Sequence, residues 1–438
     1  MTIVPIVYIL HPSEHLSSLV LKIKPWSAMR VLISGAGIAG PTLAWFLAKT
    51  GSHVTVVEKA DTLLAVGQNI DISHSAITIA KKMGVMDRIR QLNTTEKGTR
   101  FIDAKGRPFA PLPVRPNSQV SFTAEFEILR GDLALVLYEA SKDSPNVSYI
   151  FGTTIKKVIS NNDDAVKVEL SNGEVHEYDL LVAADGQWSK IRKQCFPPET
   201  VTTIDIGMYA MYWTIPRLSS DDDWWNIYNA LGSRIMSIRP DPHGTMRAML
   251  TRMPRTEAHK KEWAEASRGT RQMQQDLMRR EFADAGWQAQ RLLDTMKDSP
   301  DFYFHSIQQI KMSKWSLSRI VCLGDAAYAP TPLTGAGASL AIIGAYCLAG
   351  ELSKLDAGEH PSRALDAYDT VFRPFVEDTQ KLSLIFRDMA HPETAWKRWL
   401  LHTSVWALSK AVAVPWIANR TGQTEDEDFV LPEYPGFI

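Results

Sequence analysis

The chain has 438 residues, 45% of them hydrophobic and 22% charged, a length that suggests two or three domains with a sizeable core. Its 48 Lys and Arg nearly balance its 49 Asp and Glu, which argues against a protein that binds nucleic acid or an anionic membrane through overall charge. Its three cysteines are far apart without C-x-x-C spacing, so neither a disulfide scaffold nor a cysteine-ligated zinc site is expected. Composition predicts a soluble globular protein with an unusually high count of 13 Trp.

The two ends of the chain carry apolar segments that are too short to cross a bilayer. Residues 1–28 precede the first strongly patterned segment and are interpreted as an N-terminal extension, with no basic residue at its start to suggest a secretory signal. Residues 395–418 predict a Trp-rich helix that packs on its own domain, and they leave open a peripheral membrane contact. A cytoplasmic protein without a stable membrane span is expected.

The strongest motif is a glycine-rich turn at the start of the patterned sequence. An apolar run at 30–34 precedes Gly35, Gly37 and Gly40, and a helix-forming segment follows. In a dinucleotide site the first glycine permits a tight turn, the second lets the backbone approach a pyrophosphate, and the third allows close packing of helix and strand. The helix N-terminus then faces the phosphate charge.

A second predicted strand strengthens this interpretation. Residues 53–58 end in Glu58, roughly 20 residues beyond the glycines, where an acid holds ribose hydroxyls in such sites. Lys59, the next residue, is counted with Glu58 among the expected cofactor contacts. The glycine motif occurs once, so the sequence predicts one Rossmann-type site and leaves open which dinucleotide it holds.

Two further strand-to-loop junctions place acids where ligands bind. Residues 180–184 form an apolar run that ends at Asp185, and residues 320–323 form another that leads to Asp325. An Asp at the carboxyl end of a parallel strand points into the crevice in which such sheets bind their ligands. These two acids are therefore expected at the same edge of the sheet as the glycine turn.

A second glycine-rich loop follows Asp325. It contains Gly335, Gly337 and Ala338 and opens an apolar helical stretch, whose N-terminus would offer backbone N–H groups and the positive end of a helix dipole. Each junction alone is a common strand-to-helix turn. Together with the first glycine motif, they indicate a single ligand site assembled from three parts of the chain.

In this order the three motifs resemble the FAD-dependent aromatic hydroxylases, the single-component (class A) flavoprotein monooxygenases. The resemblance covers roughly residues 29–385. Within that family the chain looks most similar to the tetracycline-inactivating monooxygenases and to fungal secondary-metabolite FAD monooxygenases. Two segments support this closer placement: residues 67–72, which contain Asp71, and residues 127–133, which contain Arg130.

The resemblance implies an α/β fold: a Rossmann-like FAD-binding domain, an antiparallel β-sheet substrate domain and a C-terminal helical segment. It also implies that NADPH or NADH docks transiently to reduce FAD, and that a flavin hydroperoxide passes one oxygen atom of O2 to a small organic substrate, without a metal. Ser339 and Gly344 stand where many members have Asn and Asp, a difference that leaves the flavin contacts open. The implied cofactor residues are Gly35, Gly37, Gly40, Glu58, Lys59, Asp71, Arg130, Asp185, Asp325, Gly335, Gly337 and Ala338.

The same resemblance predicts that the domains are interleaved along the chain, in a monomer or homodimer. The predicted ranges are 29–81, 100–190 and 306–350 for the FAD-binding domain, 82–99 and 191–305 for the substrate domain, and 351–438 for the C-terminal helical region.

The predicted substrate domain is rich in aromatic strand-like segments. Tyr209, Met211, Trp213 and Met236 alternate with their neighbours, as residues on one face of a strand do, and are interpreted as lining a large apolar pocket. No side chain is assigned as catalytic. The expected reaction is hydroxylation or epoxidation of a medium-sized apolar, aromatic or enolic compound, in secondary metabolism.

Alternatives of other classes stay open. An FAD-dependent oxidase, dehydrogenase or oxidative cyclase of the same fold differs from a hydroxylase in lacking NADPH-driven oxygen incorporation. Residues 211–216 nearly match the W-x-W-x-I-P signature of flavin-dependent halogenases, but Met211 replaces the first Trp. A non-enzymatic flavin-binding module is the third alternative, and the presence of a motif at every cofactor position argues against it.

Overall fold

A computed structural model of the chain describes residues 28–64, 67–73, 75–114, 126–381, 384–413 and 429–437, with the side chains of 384–386 left out. The expected extension, residues 1–28, lies outside this part except for its last residue. The strands are β1 (Arg30–Ser34), β2 (His53–Val57), β3 (Asn69–Asp71), β4 (Gly98–Ile102), β5 (Pro108–Pro113), β6 (Glu127–Leu129), β7 (Val147–Ile150), β8 (Ile155–Asn161), β9 (Val166–Leu170), β10 (Val175–Tyr178), β11 (Leu180–Ala183), β12 (Val201–Pro216), β13 (Trp225–Ala230), β14 (Arg234–Pro240), β15 (Thr245–Arg252), β16 (Tyr303–Met312), β17 (Ser316–Leu317) and β18 (Ile320–Cys322).

The helices connect and cover these strands. They are α1 (Ala39–Lys49), α2 (Ser75–Lys82), α3 (Met86–Gln91), α4 (Arg130–Ser141), α5 (Lys190–Cys195), α6 (Glu257–Arg268), α7 (Arg271–Phe282), α8 (Ala289–Met296), α9 (Asp325–Tyr328), α10 (Gly337–Leu352), α11 (Ser362–Thr379), α12 (Leu384–Ala390) and α13 (Ala395–Val412).

A six-stranded sheet forms the first layer, in the order β17-β18-β11-β1-β2-β7. All its strands are parallel except β17, which pairs antiparallel with β18. The strands β11 and β18 are buried along their whole length, and their apolar side chains share one core with those of α1, α4 and α10. A parallel sheet covered by helices reads as continuous apolar runs, which is why these strands could be recognised in the sequence. The predicted Rossmann-like layer is confirmed.

A seven-stranded sheet forms the second layer, which we call the roof, in the order β16-β12-β15-β14-β13-β4-β5. Every neighbouring pair is antiparallel except β13 and β4. The helices α6, α7 and α8 pack on one face of the roof around Trp213 and Trp263, which are both almost fully buried. The predicted antiparallel substrate layer is therefore present.

Strand pairing divides the chain differently from the predicted ranges. The hairpin β4–β5 begins at the predicted boundary and lies mostly within the range 100–190 assigned to the FAD-binding domain, yet β4 pairs with β13 of the roof. Conversely, α3 lies in the range 82–99 assigned to the substrate domain, yet it buries Met86 and Ile89 in the core of the first layer. The physical reason is that β4 is held in place by a strand more than a hundred residues away, which local sequence patterns do not encode.

The C-terminal part of the chain returns to the first layer. Residues 429–437 lie against α1 and α10, where Tyr434 packs so closely on Gly350 that a Cβ there would lie 2.1 Å from the ring. The Tyr346 hydroxyl donates a hydrogen bond of 2.8 Å to the Pro432 carbonyl. Among the helices of the described residues, none has both the length and the hydrophobicity needed to cross a bilayer.

Candidate cofactor and substrate site

The glycine turn between β1 and α1 is held by contacts that only glycine allows. Gly35 has a φ of +110°, and a Cβ there would lie 2.5 Å from the Ala184 carbonyl oxygen. A Cβ on Gly40 would lie 2.0 Å from the Gly35 carbonyl oxygen. The backbone of the turn thus packs directly against that of Ala184 on one side and that of α1 on the other. The spacing of the motif predicts this close packing for a dinucleotide-binding turn.

Gly37, in the same turn, has open space around it where Gly35 and Gly40 have close neighbours. A Cβ on Gly37 would meet no atom within 4 Å, so the backbone there borders open space. The helix α1 follows, with Ile38 as its N-cap residue. No side chain caps its N-terminus by a hydrogen bond, and its first turn contains no acid. Free N–H groups at a helix N-terminus bind anions, and a pyrophosphate can approach this backbone closely.

Glu58 braces the glycine turn from the end of β2. Its Oε2 accepts a 2.9 Å hydrogen bond from the Ala36 amide, and its Oε1 accepts one of 3.0 Å from the Ala60 amide. A carboxylate has about four acceptor positions, so both oxygens keep capacity for ribose hydroxyls. Lys59 lies exposed beside it. Glu58 is therefore placed both to shape the turn and to contact a ribose.

Asp185 lies at the end of β11, beside Gly35. Its Oδ2 accepts a 2.8 Å hydrogen bond from the Lys190 amide at the start of α5. Its Oδ1 is buried and has no hydrogen-bond partner within the described part of the chain. A buried acceptor without a donor is costly, so this oxygen is positioned for a ligand that carries hydroxyl groups.

Asp325 begins α9 at the end of β18. Burial raises the pKa of its carboxyl group, and the positive charge of Arg130, at the start of α4, opposes this rise. A Cβ on Gly337 would lie 3.9 Å from Asp325 Oδ1, so the acid faces the first residue of α10. Arg130 and Asp325, two predicted cofactor residues that are far apart in sequence, are thus brought within electrostatic reach of each other.

The loop before α10 closes this edge. Gly335 adopts a left-handed φ of +66°, and a Cβ there would lie 3.5 Å from Asp71 Oδ2 on β3. Thr331 also has a positive φ, +87°, which is strained for a β-branched residue and is typical of ligand-binding loops. The helix α10 starts without a capping side chain, and Ala338 is buried in its first turn. A second uncapped helix N-terminus therefore borders the site.

The roof presents two faces, and the four residues predicted to line a pocket lie on the outer one. Tyr209 packs on Trp263 of α6 with ring centroids 5.3 Å apart, and Trp213 Nε1 donates a 3.3 Å hydrogen bond to Thr295 of α8. Met211 and Met236 are fully buried in the same core. We correct the expectation accordingly: these side chains fill the space between the roof and its outer helices.

The inner face of the roof carries the side chains that the pocket prediction missed. Tyr212 is paired with Tyr303, and Ala210 with His305, so these four residues share the face opposite Tyr209. The charge of Arg130 acts on both Tyr303 and His305, and that of Asp325 acts on Tyr303. The inner face therefore faces the predicted cofactor residues Arg130 and Asp325. The sequence of β12 shows that alternate residues share a face, but it does not show which of the two faces is the inner one.

Tyr303 and His305 form a polar pair on this face. The Tyr303 hydroxyl lies 2.9 Å from His305 Nδ1, while His305 Nε2 is buried with no hydrogen-bond partner among the described residues. Burial, with the nearby Arg130, lowers the pKa of His305 to about 4. The imidazole is therefore neutral above about pH 5 and offers one ring nitrogen to a ligand.

A buried ion cluster joins the inner face to the first layer. Arg239 Nε lies 2.9 Å from Glu96 Oε2, and Arg239 also contacts the Glu127 carboxylate. Its guanidinium stacks over Trp225, with Cζ 4.0 Å from the ring centroid. Burial lowers the pKa of Arg239, but the two glutamates outweigh it and the pKa is raised. This cluster fixes the roof against β6, directly before Arg130.

This arrangement defines a class of protein: a doubly wound sheet binds a dinucleotide at its carboxyl edge, beneath an antiparallel roof. Residues 28–383 match the protein family described as the FAD binding domain, and the chain belongs to that family. The FAD-dependent monooxygenase asL6 of Sarocladium schorii is 32% identical over 426 residues, spanning 93% of this chain and 98% of that protein. The protein is accordingly an FAD-dependent monooxygenase.

Solved structures agree with this assignment. The crystal structure of tetracycline destructase Tet(55) is similar with a TM-score of 0.74 and 29% identity, over 94% of this chain and 100% of that one. The structure of Klebsiella pneumoniae HpxO with FAD and uric acid has a TM-score of 0.64 and 19% identity, over 90% of this chain and 96% of that one. The second likeness concerns the fold alone.

FAD fits the residues at this edge. The open space at Gly37 and the uncapped start of α1 suit its pyrophosphate, and the partnerless Asp185 Oδ1 suits a hydroxyl group of the cofactor. The uncapped start of α10 suits the flavin end, where backbone N–H groups can meet ring oxygens. We propose that the predicted cofactor residues bind FAD in this way.

Removing the carboxylate at Asp325 is expected to weaken FAD binding by about tenfold, since a charged-group hydrogen bond contributes about 1.5–3 kcal/mol. Asp325→Ala is compared with Asp366→Ala, which removes an exposed acid from α11. The flavin-to-protein ratio after gel filtration is the measurement. Equal flavin content in the two variants would remove Asp325 from the cofactor site.

Proposed function

We propose that the enzyme consumes NADPH or NADH and hydroxylates, or epoxidises, a medium-sized aromatic or enolic compound in secondary metabolism. The observation that carries this proposal is the inner face of the roof, where the Tyr303–His305 pair meets the charge of Arg130. Bound FAD supplies electron transfer and oxygen activation, and this chain's residues bind and orient the reactants.

The electrostatics of the site favour an anionic oxygen on the substrate. Arg130 contributes a positive charge, and the low pKa of His305 keeps the imidazole neutral, so that it offers a hydrogen bond without a competing charge. If the Tyr303 hydroxyl donates to Nδ1, the proton on Nε2 is free to bind a phenol or enol oxygen. A deprotonated phenol or enol is electron-rich at carbon, which suits attack on an electrophilic oxygen. The likeness to a tetracycline destructase supports a fused-ring substrate of this kind.

The proposal is tested by measuring NADPH and NADH oxidation with a panel of phenols, enols and apolar alkaloids. We expect one group of compounds to stimulate oxidation and to yield a product heavier by one oxygen atom. Oxidation of the compound without NAD(P)H consumption would favour the oxidase or dehydrogenase alternative. No stimulation by any phenol or enol would contradict the substrate class.

Within that class His305 is expected to hold the substrate oxygen. His305→Ala should lower kcat/KM by about 10- to 100-fold, the size of one lost hydrogen bond to a charged group. His53→Ala, which changes an exposed histidine on β2, is the matched control and should leave kcat/KM unchanged. With a substrate that is already ionised at about pH 5, wild-type activity should be constant above that pH. It should fall as the pH approaches the His305 pKa of about 4, because a protonated Nδ1 can no longer accept a hydrogen bond from the Tyr303 hydroxyl. Unchanged kcat/KM in His305→Ala would show that this nitrogen does not meet the substrate.

A further inference from the structure

The C-terminal helix α13 exposes an unusual apolar surface. It buries Val405, Ser409 and Val412 against the protein, while most of its other side chains face outward. Trp396 and Trp399 are 63% and 67% exposed, and Leu400 is 51% exposed. Trp406 and Leu408 continue this surface toward the C-terminal end of the helix. Large apolar side chains clustered on a surface mark a binding site.

The charge around this surface has one dominant sign. The helix α13 contains no Asp or Glu, and its cations are Lys397, Arg398 and Lys410. The hairpin β4–β5 lies alongside, with the Phe109 ring centroid 4.8 Å from that of His402, and adds Lys105 and Arg107. Among the described residues of α13, of the turn before it and of the hairpin, the acids are Asp103, which pairs with Arg107, and Glu393, which pairs with Lys397. Within this described part, these five cations accompany the apolar residues, against two acids.

This combination suits the interface of a bilayer better than a second copy of the chain. Trp side chains prefer the headgroup region, and Lys and Arg extend their charges to anionic lipid headgroups while their stems cover apolar surface. In a two-fold symmetric dimer this surface would face itself and bring its cations together. The near-zero net charge of the whole chain is compatible with membrane binding. Salt screens charges farther than about one Debye length from the bilayer, so only the charges of the docked surface matter.

We propose that the outer surface of α13, together with the hairpin β4–β5, docks on an anionic lipid bilayer, with the helix lying in the plane of the interface. The docked surface adjoins the inner face of the roof. Val405 packs on Phe101, Ile227 and Ile235, and the register of the sheet places these residues on the same face as Tyr212. With the aromatic or enolic substrate proposed above, docking brings the bilayer next to the face that receives it. The docking itself does not depend on that proposal.

The test is co-sedimentation of the holoenzyme with vesicles of phosphatidylcholine alone or with one third phosphatidylglycerol. We expect at least about tenfold more protein bound to the anionic vesicles, and less at high salt. The variant Trp396→Ala/Trp399→Ala/Leu400→Ala should lose this binding, and Lys397→Glu/Lys410→Glu should reduce it. The matched control Ile159→Ala/Val175→Ala/Leu317→Ala removes exposed apolar residues elsewhere and should bind like wild type. Flavin content confirms that each variant is folded.

Three results would overturn the proposal: no binding of wild type to anionic vesicles, equal binding to both vesicle types, or equal binding by the triple tryptophan–leucine variant. A wild-type dimer in light scattering that this variant dissociates would assign the surface to a second copy instead. Because no turnover is measured, failure here leaves the oxygenation proposal intact, and the substrate panel tests that proposal separately.

Discussion

Gly37→Val is expected to yield a folded protein that has lost FAD, with affinity reduced by about 100-fold. A Cβ on Gly37 meets no protein atom within 4 Å, so the fold has room for the side chain. We propose that the FAD pyrophosphate approaches the backbone in that space, where forced overpacking would cost about 1–3 kcal/mol. Gly37→Ala should show the same effect at about tenfold.

The measurement is FAD titration of the apoprotein, followed by flavin fluorescence, alongside thermal unfolding. Gly173→Ala serves as the control because Gly173, in the turn between β9 and β10, also has no atom near a new Cβ. Its φ of +90° makes this control somewhat less stable, by about 1 kcal/mol, without touching the cofactor edge. Full FAD affinity in Gly37→Val would show that the pyrophosphate binds elsewhere.

Arg239→Met is expected to lower the free energy of unfolding by about 3–5 kcal/mol. The substitution removes the cation that faces two almost fully buried carboxylates, Glu96 and Glu127, and uncompensated buried charges are costly. It also removes the guanidinium from the face of Trp225. Glu127 lies in β6, directly before Arg130, which is one of the residues proposed to bind FAD. Because the cluster holds β6 in place, we expect FAD affinity to fall as well.

Two comparisons separate this effect from a general loss of an arginine. Arg217→Met breaks an exposed pair with Asp223 and should cost at most about 1 kcal/mol. Combining Arg239→Met with Glu96→Gln and Glu127→Gln removes the uncompensated charge and should recover part of the lost stability. Denaturant unfolding of the four proteins is the measurement. A triple variant no more stable than Arg239→Met would mean that the cluster acts through packing alone.

The first layer was predictable because its signals are local. The strands β1, β11 and β18 are buried on both faces and appear as short apolar runs, each followed by a glycine or an acid at the carboxyl end. Gly35 and Gly40 are required by backbone contacts within one turn or with the adjoining strand. Local patterns of this kind therefore suffice to name the residues that shape this edge.

The roof was less predictable because its organisation is not local. Alternation in β12 shows that Tyr209 and Tyr212 lie on opposite faces, but only the packing of α6 on Tyr209 shows which face is inner. In the sequence His305 is one of 11 histidines, with no motif that distinguishes it. Its partner Tyr303 stands two residues away, in a strand whose position depends on β12. Arg239 likewise meets Glu96 and Glu127 only after both layers are assembled.

Oxygen transfer to the substrate is tested by turnover under isotope-labelled dioxygen, with the compound that best stimulates NAD(P)H oxidation. We predict that the FAD-loaded enzyme incorporates one labelled oxygen atom into each product molecule and consumes one NAD(P)H per product. We also predict that the flavin-depleted Gly37→Val variant forms no labelled product. A product that carries no label, or labelled product at wild-type rate from the flavin-depleted variant, would contradict these predictions.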